Sequence, residues 1–305
     1  MSRRSVDLRG ILAAVSTPFT PDGSAVDEPE IARQVERMLA AGVHGLVPTG
    51  TTGEFTTLSV DEHKRVTDAY VRAVAGRVPV VSGVGALSTG GAIDLAHHAE
   101  RAGADAVMLV PPFYDPLDIT ALTGFLSDVA ESITIPIVYY NVPGATGIRL
   151  NAAQLAEIGR IPGVDYLKDT SGDAVEFAAL LAGPHREHIT AFNGWDTLTF
   201  FGIASGAQAS VWGVAGIVPE LAVGLWDALA VRKDLDDARE RWGHLWAISD
   251  FLESVNYVAG VKAGLELIGQ PVGPPRQPIQ PLADEDRERF ARILADAGVL
   301  VGARP

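Results

Sequence analysis

Residues 136–181 read PIVYYNVPGATGIRLNAAQLAEIGRIPGVDYLKDTSGDAVEFAALL. Pro136–Tyr140 and Val164–Lys168 are short apolar runs of strand length. Ala152–Arg160 and Ala174–Leu181 carry apolar residues at three- and four-residue spacing, the mark of an amphipathic helix. The unit strand, helix, strand, helix recurs along the chain. The spacing predicts further strands at Ile11–Ser16, Gly45–Pro48, Pro79–Ser82, Ala106–Val110, Ile189–Phe192 and Ala207–Val211. It predicts helices at Glu28–Ala41, Val60–Ala75, Thr89–Ala102, Ile119–Glu131 and Thr197–Ala204. Glycine follows two of these helices, at Gly42 and Gly103, where a left-handed cap is wanted. Eight strands, each followed by a helix, predict an α/β fold of the (β/α)8 TIM-barrel class. A doubly wound sheet would want a glycine fingerprint after its first strand, and none is present. Gly83-Val84-Gly85 lacks a third glycine and reads as a tight turn. Beyond Val211, the stretches Leu221–Arg232, Asp236–Leu252, Asn256–Ile268 and Asp284–Ala297 read as helices. Residues 1–225 are therefore expected to form the barrel and residues 226–305 a helical C-terminal extension.

Composition narrows the function classes. The chain has 305 residues, 47% hydrophobic and 20% charged, with a net charge of −14. That charge disfavours nucleic acid and anionic membrane surfaces, so neither is an expected partner. There is no cysteine, which removes thiolate nucleophiles, disulfides and cysteine-ligated metals. Arg3-Arg4 before the apolar residues 10–15 faintly resembles a signal peptide, but the run is short and doubles as the first strand. No stretch is apolar for long enough to span a bilayer, and a cytoplasmic location is expected. The seven histidines share no metal-ligand spacing with a carboxylate, and most read as surface or helix-cap residues. No metal and no cofactor is expected. Trp226, Trp242 and Trp246 read as core or subunit contacts.

Active sites of such barrels lie at the carboxyl ends of the strands. Only four lysines occur, and Lys64, Lys233 and Lys262 fall in helical patterning. Lys168 instead closes a strand before the turn Asp169-Thr170-Ser171-Gly172. Burial in an apolar wall favours the neutral, nucleophilic form of an amine, so Lys168 is a candidate Schiff-base nucleophile. Tyr140 ends the preceding strand and would face the same cavity, where a phenol can relay protons for iminium formation. Gly50-Thr51-Thr52-Gly53 offers hydroxyls and open backbone N–H groups that suit a carboxylate. Taken singly, each has a plainer use: threonines between glycines form turns, and strand-end tyrosines pack. Their joint place at one barrel face carries the chemistry.

Gly50-Thr51-Thr52-Gly53-Glu54, Tyr140-Asn141-Val142-Pro143 and Lys168-Asp169-Thr170-Ser171-Gly172-Asp173 resemble the signatures of the dihydrodipicolinate synthase/N-acetylneuraminate lyase family. The 28-residue step from Tyr140 to Lys168 matches, as do Ser16-Thr17-Pro18-Phe19 and Val261–Leu265. The resemblance implies a class I, metal-independent lyase with a barrel and helical extension, assembled as a homotetramer from two tight dimers. It implies that Lys168 forms the Schiff base with pyruvate or another 2-oxo acid and that Tyr140 transfers protons. Thr51 and Thr52 would bind the carboxylate, with Thr51 also in a hydroxyl relay to Tyr140. Tyr114 matches a tyrosine that crosses the tight dimer into the neighbouring site. Gly194, Asp196 and Val211 are the remaining expected substrate contacts.

The chain departs from the family pattern where substrates are told apart. Ala145 stands where the synthases carry an arginine for the aspartate semialdehyde carboxylate, and Arg149 is a possible substitute four residues on. Gly194-Trp195-Asp196-Thr197 resembles the segment with which neuraminate lyases hold sugar hydroxyls, although Thr197 replaces a glutamate. The expected substrates are thus a 2-oxo acid and an aldehyde bearing hydroxyls, as for 2-keto-3-deoxy sugar acid aldolases. The alternatives are dihydrodipicolinate synthase itself, a 2-keto-3-deoxy sugar acid dehydratase, or a catalytically silent 2-oxo acid sensor.

Overall fold

The computed structural model describes residues 3–300. Eight parallel strands, β1 (Gly10–Ala14), β2 (Gly45–Val47), β3 (Val81–Gly85), β4 (Ala106–Val110), β5 (Ile137–Asn141), β6 (Val164–Asp169), β7 (Thr190–Asn193) and β8 (Ala209–Trp212), run in the order β2-β1-β8-β7-β6-β5-β4-β3. A parallel bridge between Leu46 and Val80 joins the two ends of that order, so the sheet closes into a barrel. The fold is the expected TIM barrel with a helical C-terminal region.

Side-chain parity decides what faces the lumen, because successive strand residues point to opposite faces. Leu12 and Ala14, Met108 and Val110, and Val138 and Tyr140 fill one cluster inside the barrel. Their neighbours Val107, Leu109, Ile137, Tyr139 and Leu167 pack outward beneath the helices. Tyr140 and not Tyr139 therefore looks into the barrel, and its register partner on β6 is Lys168.

The outer helices begin where short polar side chains can satisfy the first free N–H groups. Ser59 and Asn151 form capping boxes with Glu62 and Gln154. Asp27, Ser88, Asp118 and Asp173 cap the helices that follow them. The extension comprises the helices Leu235–Glu253, Tyr257–Leu267 and Asp284–Asp296. Their Leu245, Phe251, Val261 and Phe290 share one core with Ile11, Val35 and Trp212 of the barrel. Phe251 and Phe290 stack with centroids 4.3 Å apart. The helix Pro219–Trp226 continues through Asp227–Arg232 without a break. Among the described residues, no helix is long and apolar enough to cross a membrane.

Two local expectations are corrected. Gly83-Val84-Gly85 is not a turn but the end of β3, which starts two residues later than expected and pairs with β4. The glycine at 83 serves close approach: a Cβ there would lie 2.4 Å from the Thr49 carbonyl oxygen. His63 is an exception to the mostly surface or helix-cap reading of the histidines: it is buried, with Nε2 at 2.9 Å from the Gly83 carbonyl. Burial pulls its imidazole down to about 4, so it is a neutral core group. His97 and His98 do point apart, towards Ser132 and Asp68 respectively.

Candidate active site

Lys168 and Tyr140 emerge side by side at the carboxyl ends of β6 and β5, only 6% and 5% exposed. The Lys168 amine lies 4.1 Å from the centre of the Tyr140 ring. Thr51 Oγ1 stands 3.5 Å from the phenolic oxygen, at the edge of hydrogen-bond range. Burial alone would raise the Tyr140 phenol. The Lys168 charge and bonds from Thr51, Lys168 and Thr170 outweigh it and hold the phenol below its ordinary value. Such a phenol gives up and regains a proton more readily than free tyrosine.

Gly194 is needed here because the lysine runs across it. A Cβ at 194 would meet Thr170 Oγ1 at 2.5 Å, Lys168 Cε at 2.6 Å and Lys168 Cγ at 2.7 Å. Gly194→Ala must push the amine off its line, and displacement of about 1 Å costs on the order of 100-fold in rate. We expect that loss in kcat/KM with a melting temperature close to the parent's. Parental activity in the variant would show that the lysine's course over Gly194 is immaterial.

The 50–54 loop is pinned from below. Thr49 and Glu54 both adopt left-handed backbone, with φ of 55° and 57°. Thr17 Oγ1 donates to the Gly53 carbonyl at 2.6 Å. The buried Glu54 carboxylate takes Lys262 Nζ at 2.6 Å and the Arg276 backbone N–H at 2.8 Å. Burial draws the Lys262 ammonium down to about 8, against the pull of Glu54. The Arg276 guanidinium in turn clasps Glu62 through two bonds of 2.7 and 2.8 Å. The extension thus holds the loop that presents Thr51 and Thr52.

A cavity of about 270 Å³ joins these groups. Thr51, Thr52, Tyr140, Lys168, Gly194, Asp196 and Val211 all line it, so seven of the eight expected site residues come together. Tyr114 is the exception, 83% exposed and away from the cavity. Arg149 lines a different cavity, with Asp169, Asp173 and Glu176, and Ala145 lies on the surface. Among the described residues, Lys168 is the one cation lining the catalytic cavity.

Four residues of the extension, Leu252, Glu253, Val255 and Tyr257, also line the cavity, as do Thr170 and Trp195. Neither Glu253 nor Tyr257 was singled out from the sequence. Tyr257 Oη donates to Asp196 Oδ2 at 2.6 Å. Burial pushes the Asp196 carboxyl up to about 7; the Glu253 charge adds to this, and the Tyr257 bond and the Lys168 charge oppose it. Carboxyl NMR of the labelled protein should therefore find an aspartate titrating near pH 7. Tyr257→Phe removes a bond to the ionised form and should move that midpoint upward. A wild-type midpoint near 4 would contradict the buried placement of Asp196.

This arrangement has counterparts. The dihydrodipicolinate synthetase family model matches residues 7–297. A DapA-like lyase of Halobacterium salinarum is 39% identical over 96% of this chain and 95% of its own. A 4-hydroxy-tetrahydrodipicolinate synthase of Methanopyrus kandleri is 37% identical over 96% and 97%. The crystal structure of the Acinetobacter baumannii dihydrodipicolinate synthase complexed with pyruvate superposes with a TM-score of 0.91 at 31% identity, covering 97% of this chain and 100% of that one. The similarity spans barrel and extension alike and is far above what a shared barrel alone would give. The chain belongs to the dihydrodipicolinate synthetase family and is a lyase.

Proposed function

We propose a cytoplasmic lyase in which Lys168 condenses with the C2 carbonyl of pyruvate or a related 2-oxo acid and a C–C bond to a hydroxylated aldehyde is made or cleaved. The amine adds to C2, and the carbinolamine oxygen takes a proton by way of Tyr140 and leaves as water. In cleavage, a 2-keto-3-deoxy sugar acid loses the proton of its C4 hydroxyl and the C3–C4 bond breaks. The bonding pair moves into the iminium, the aldehyde departs, and the enamine takes a proton at C3. Hydrolysis then frees pyruvate and the amine. Thr51 and Thr52 are suited to hold the 2-oxo acid carboxylate, and Asp196 to receive hydroxyls further out.

The observation that carries this reading is the pairing of the Lys168 amine with the Tyr140 ring at 4.1 Å inside one cavity. Reaction with pyruvate and borohydride, followed by peptide mass analysis, tests it. An adduct on the Lys168 peptide is expected, and its absence would overturn the mechanism. A second reading, condensation of pyruvate with aspartate semialdehyde, is favoured by the 4-hydroxy-tetrahydrodipicolinate synthases among the relatives. It lacks an arginine at the cavity, since position 145 is alanine and Arg149 faces elsewhere. Efficient turnover of aspartate semialdehyde, with no cleavage of 2-keto-3-deoxy sugar acids, would decide for it. We further propose a homotetramer in which the exposed Tyr114 reaches a neighbouring subunit's site. The barrel, residues 1–225, would be the catalytic unit and residues 226–305 an extension supplying Glu253 and Tyr257.

A further inference from the structure

Glu253 ends the helix Leu235–Glu253, outside the barrel, yet it lines the same cavity as Lys168 while staying open to solvent. It is held firmly. Oε1 accepts the Thr197 backbone N–H at 2.9 Å and Oε2 accepts the Thr197 hydroxyl at 3.0 Å. The Trp195 indole donates to the same hydroxyl at 3.0 Å and fixes its direction. A carboxylate offers about four acceptor positions, so roughly two remain for a ligand. Asp196 stands beside it, engaged by Tyr257. This end of the cavity therefore presents acceptors, and Glu253 brings negative charge to it. The single lining cation, Lys168, is committed to the C2 carbonyl, and its charge is held at the reacting centre rather than at the far end of the substrate.

We infer that Glu253 is a specificity-determining residue, selecting 2-oxo acids whose far end carries neutral hydroxyls and turning away those that end in a second carboxylate. The inference rests on the Schiff-base reading of Lys168 and extends it to substrate class. Hydroxyls donate to Glu253 and Asp196. A terminal carboxylate cannot donate, and it meets like charge there.

The test compares cleavage of a six-carbon 2-keto-3-deoxy aldonate, ending in a CH2OH group, with the aldarate of equal length, ending in a carboxylate. In the parent, kcat/KM should favour the neutral-ended acid by about tenfold or more. In Glu253→Gln, which removes the charge and keeps an acceptor for Thr197, the ratio should contract several-fold, mainly through faster turnover of the aldarate. Equal turnover of both acids by the parent would overturn the inference without need of any variant, and so would an unchanged ratio in Glu253→Gln. Borohydride trapping of pyruvate is run on the parent alongside. A missing adduct would overturn the Schiff-base reading itself, whereas an adduct with no discrimination between the acids would overturn only the role of Glu253.

Discussion

Lys168→Ala is expected to lose turnover by about 10⁴-fold or more while remaining folded, the range seen when a covalent nucleophile is removed. The chemistry has no substitute amine, since Lys64 pairs with Asp94 on the outer helices and Lys262 is buried behind Glu54. Stability should hardly fall. The alanine forfeits one amine–ring contact, worth about 0.5–2 kcal/mol, and relieves the burial of an ammonium. A thermal melt and a 2-oxo acid-dependent cleavage assay on the same preparation separate the two effects. Tyr140 supplies a further readout. With the Lys168 charge gone, burial dominates and the phenol should titrate above its parental midpoint. Activity comparable to the parent's would refute the assignment of the nucleophile.

The barrel could be read from the chain because its signal is local. Each strand is a short apolar run and each helix has its own period and cap, so eight repeats reinforce one another. Where strand ends shifted, tertiary contact overrode local preference. Gly83 and Gly85 look like turn residues, yet they extend β3 because bare Cα atoms let the Thr49 carbonyl and the Phe55 ring come close. Tyr140, Lys168 and the two threonines were legible for the same reason, as polar groups at strand ends. Glu253 and Tyr257 were not. They lie in or beside helices of ordinary pattern, and only the docking of the extension brings them to the Asp196 wall. Lys262 did leave a signal. The helix from Val258 to Leu265 is apolar on every face except for that one lysine, and a helix buried all round must provide any charge it holds with a partner. Its partner Glu54 is about two hundred residues away, and no spacing rule reaches that far.

That buried pair yields the largest expected effect on stability. Lys262→Met leaves Glu54 with its charge, walled from water and short of its cation, a situation that costs about 3–5 kcal/mol. Urea unfolding should register a loss of that size. Glu54→Gln keeps an acceptor for the Arg276 backbone N–H and removes the charge, so the double variant should be more stable than Lys262→Met alone. The double-mutant cycle should give a coupling of about 1–3 kcal/mol between the two sites. Function should move with it. Glu54 ends the loop that carries Thr51 and Thr52, and its bonds to Lys262 and to the Arg276 backbone tie that loop to the extension. The KM for the 2-oxo acid should therefore rise in Lys262→Met and recover in part in the double variant. Additive stabilities with an unchanged KM would mean that the loop stands without its clamp. A coupled loss in both would make the helical extension a part of the carboxylate site, acting through Glu54 from behind the barrel wall.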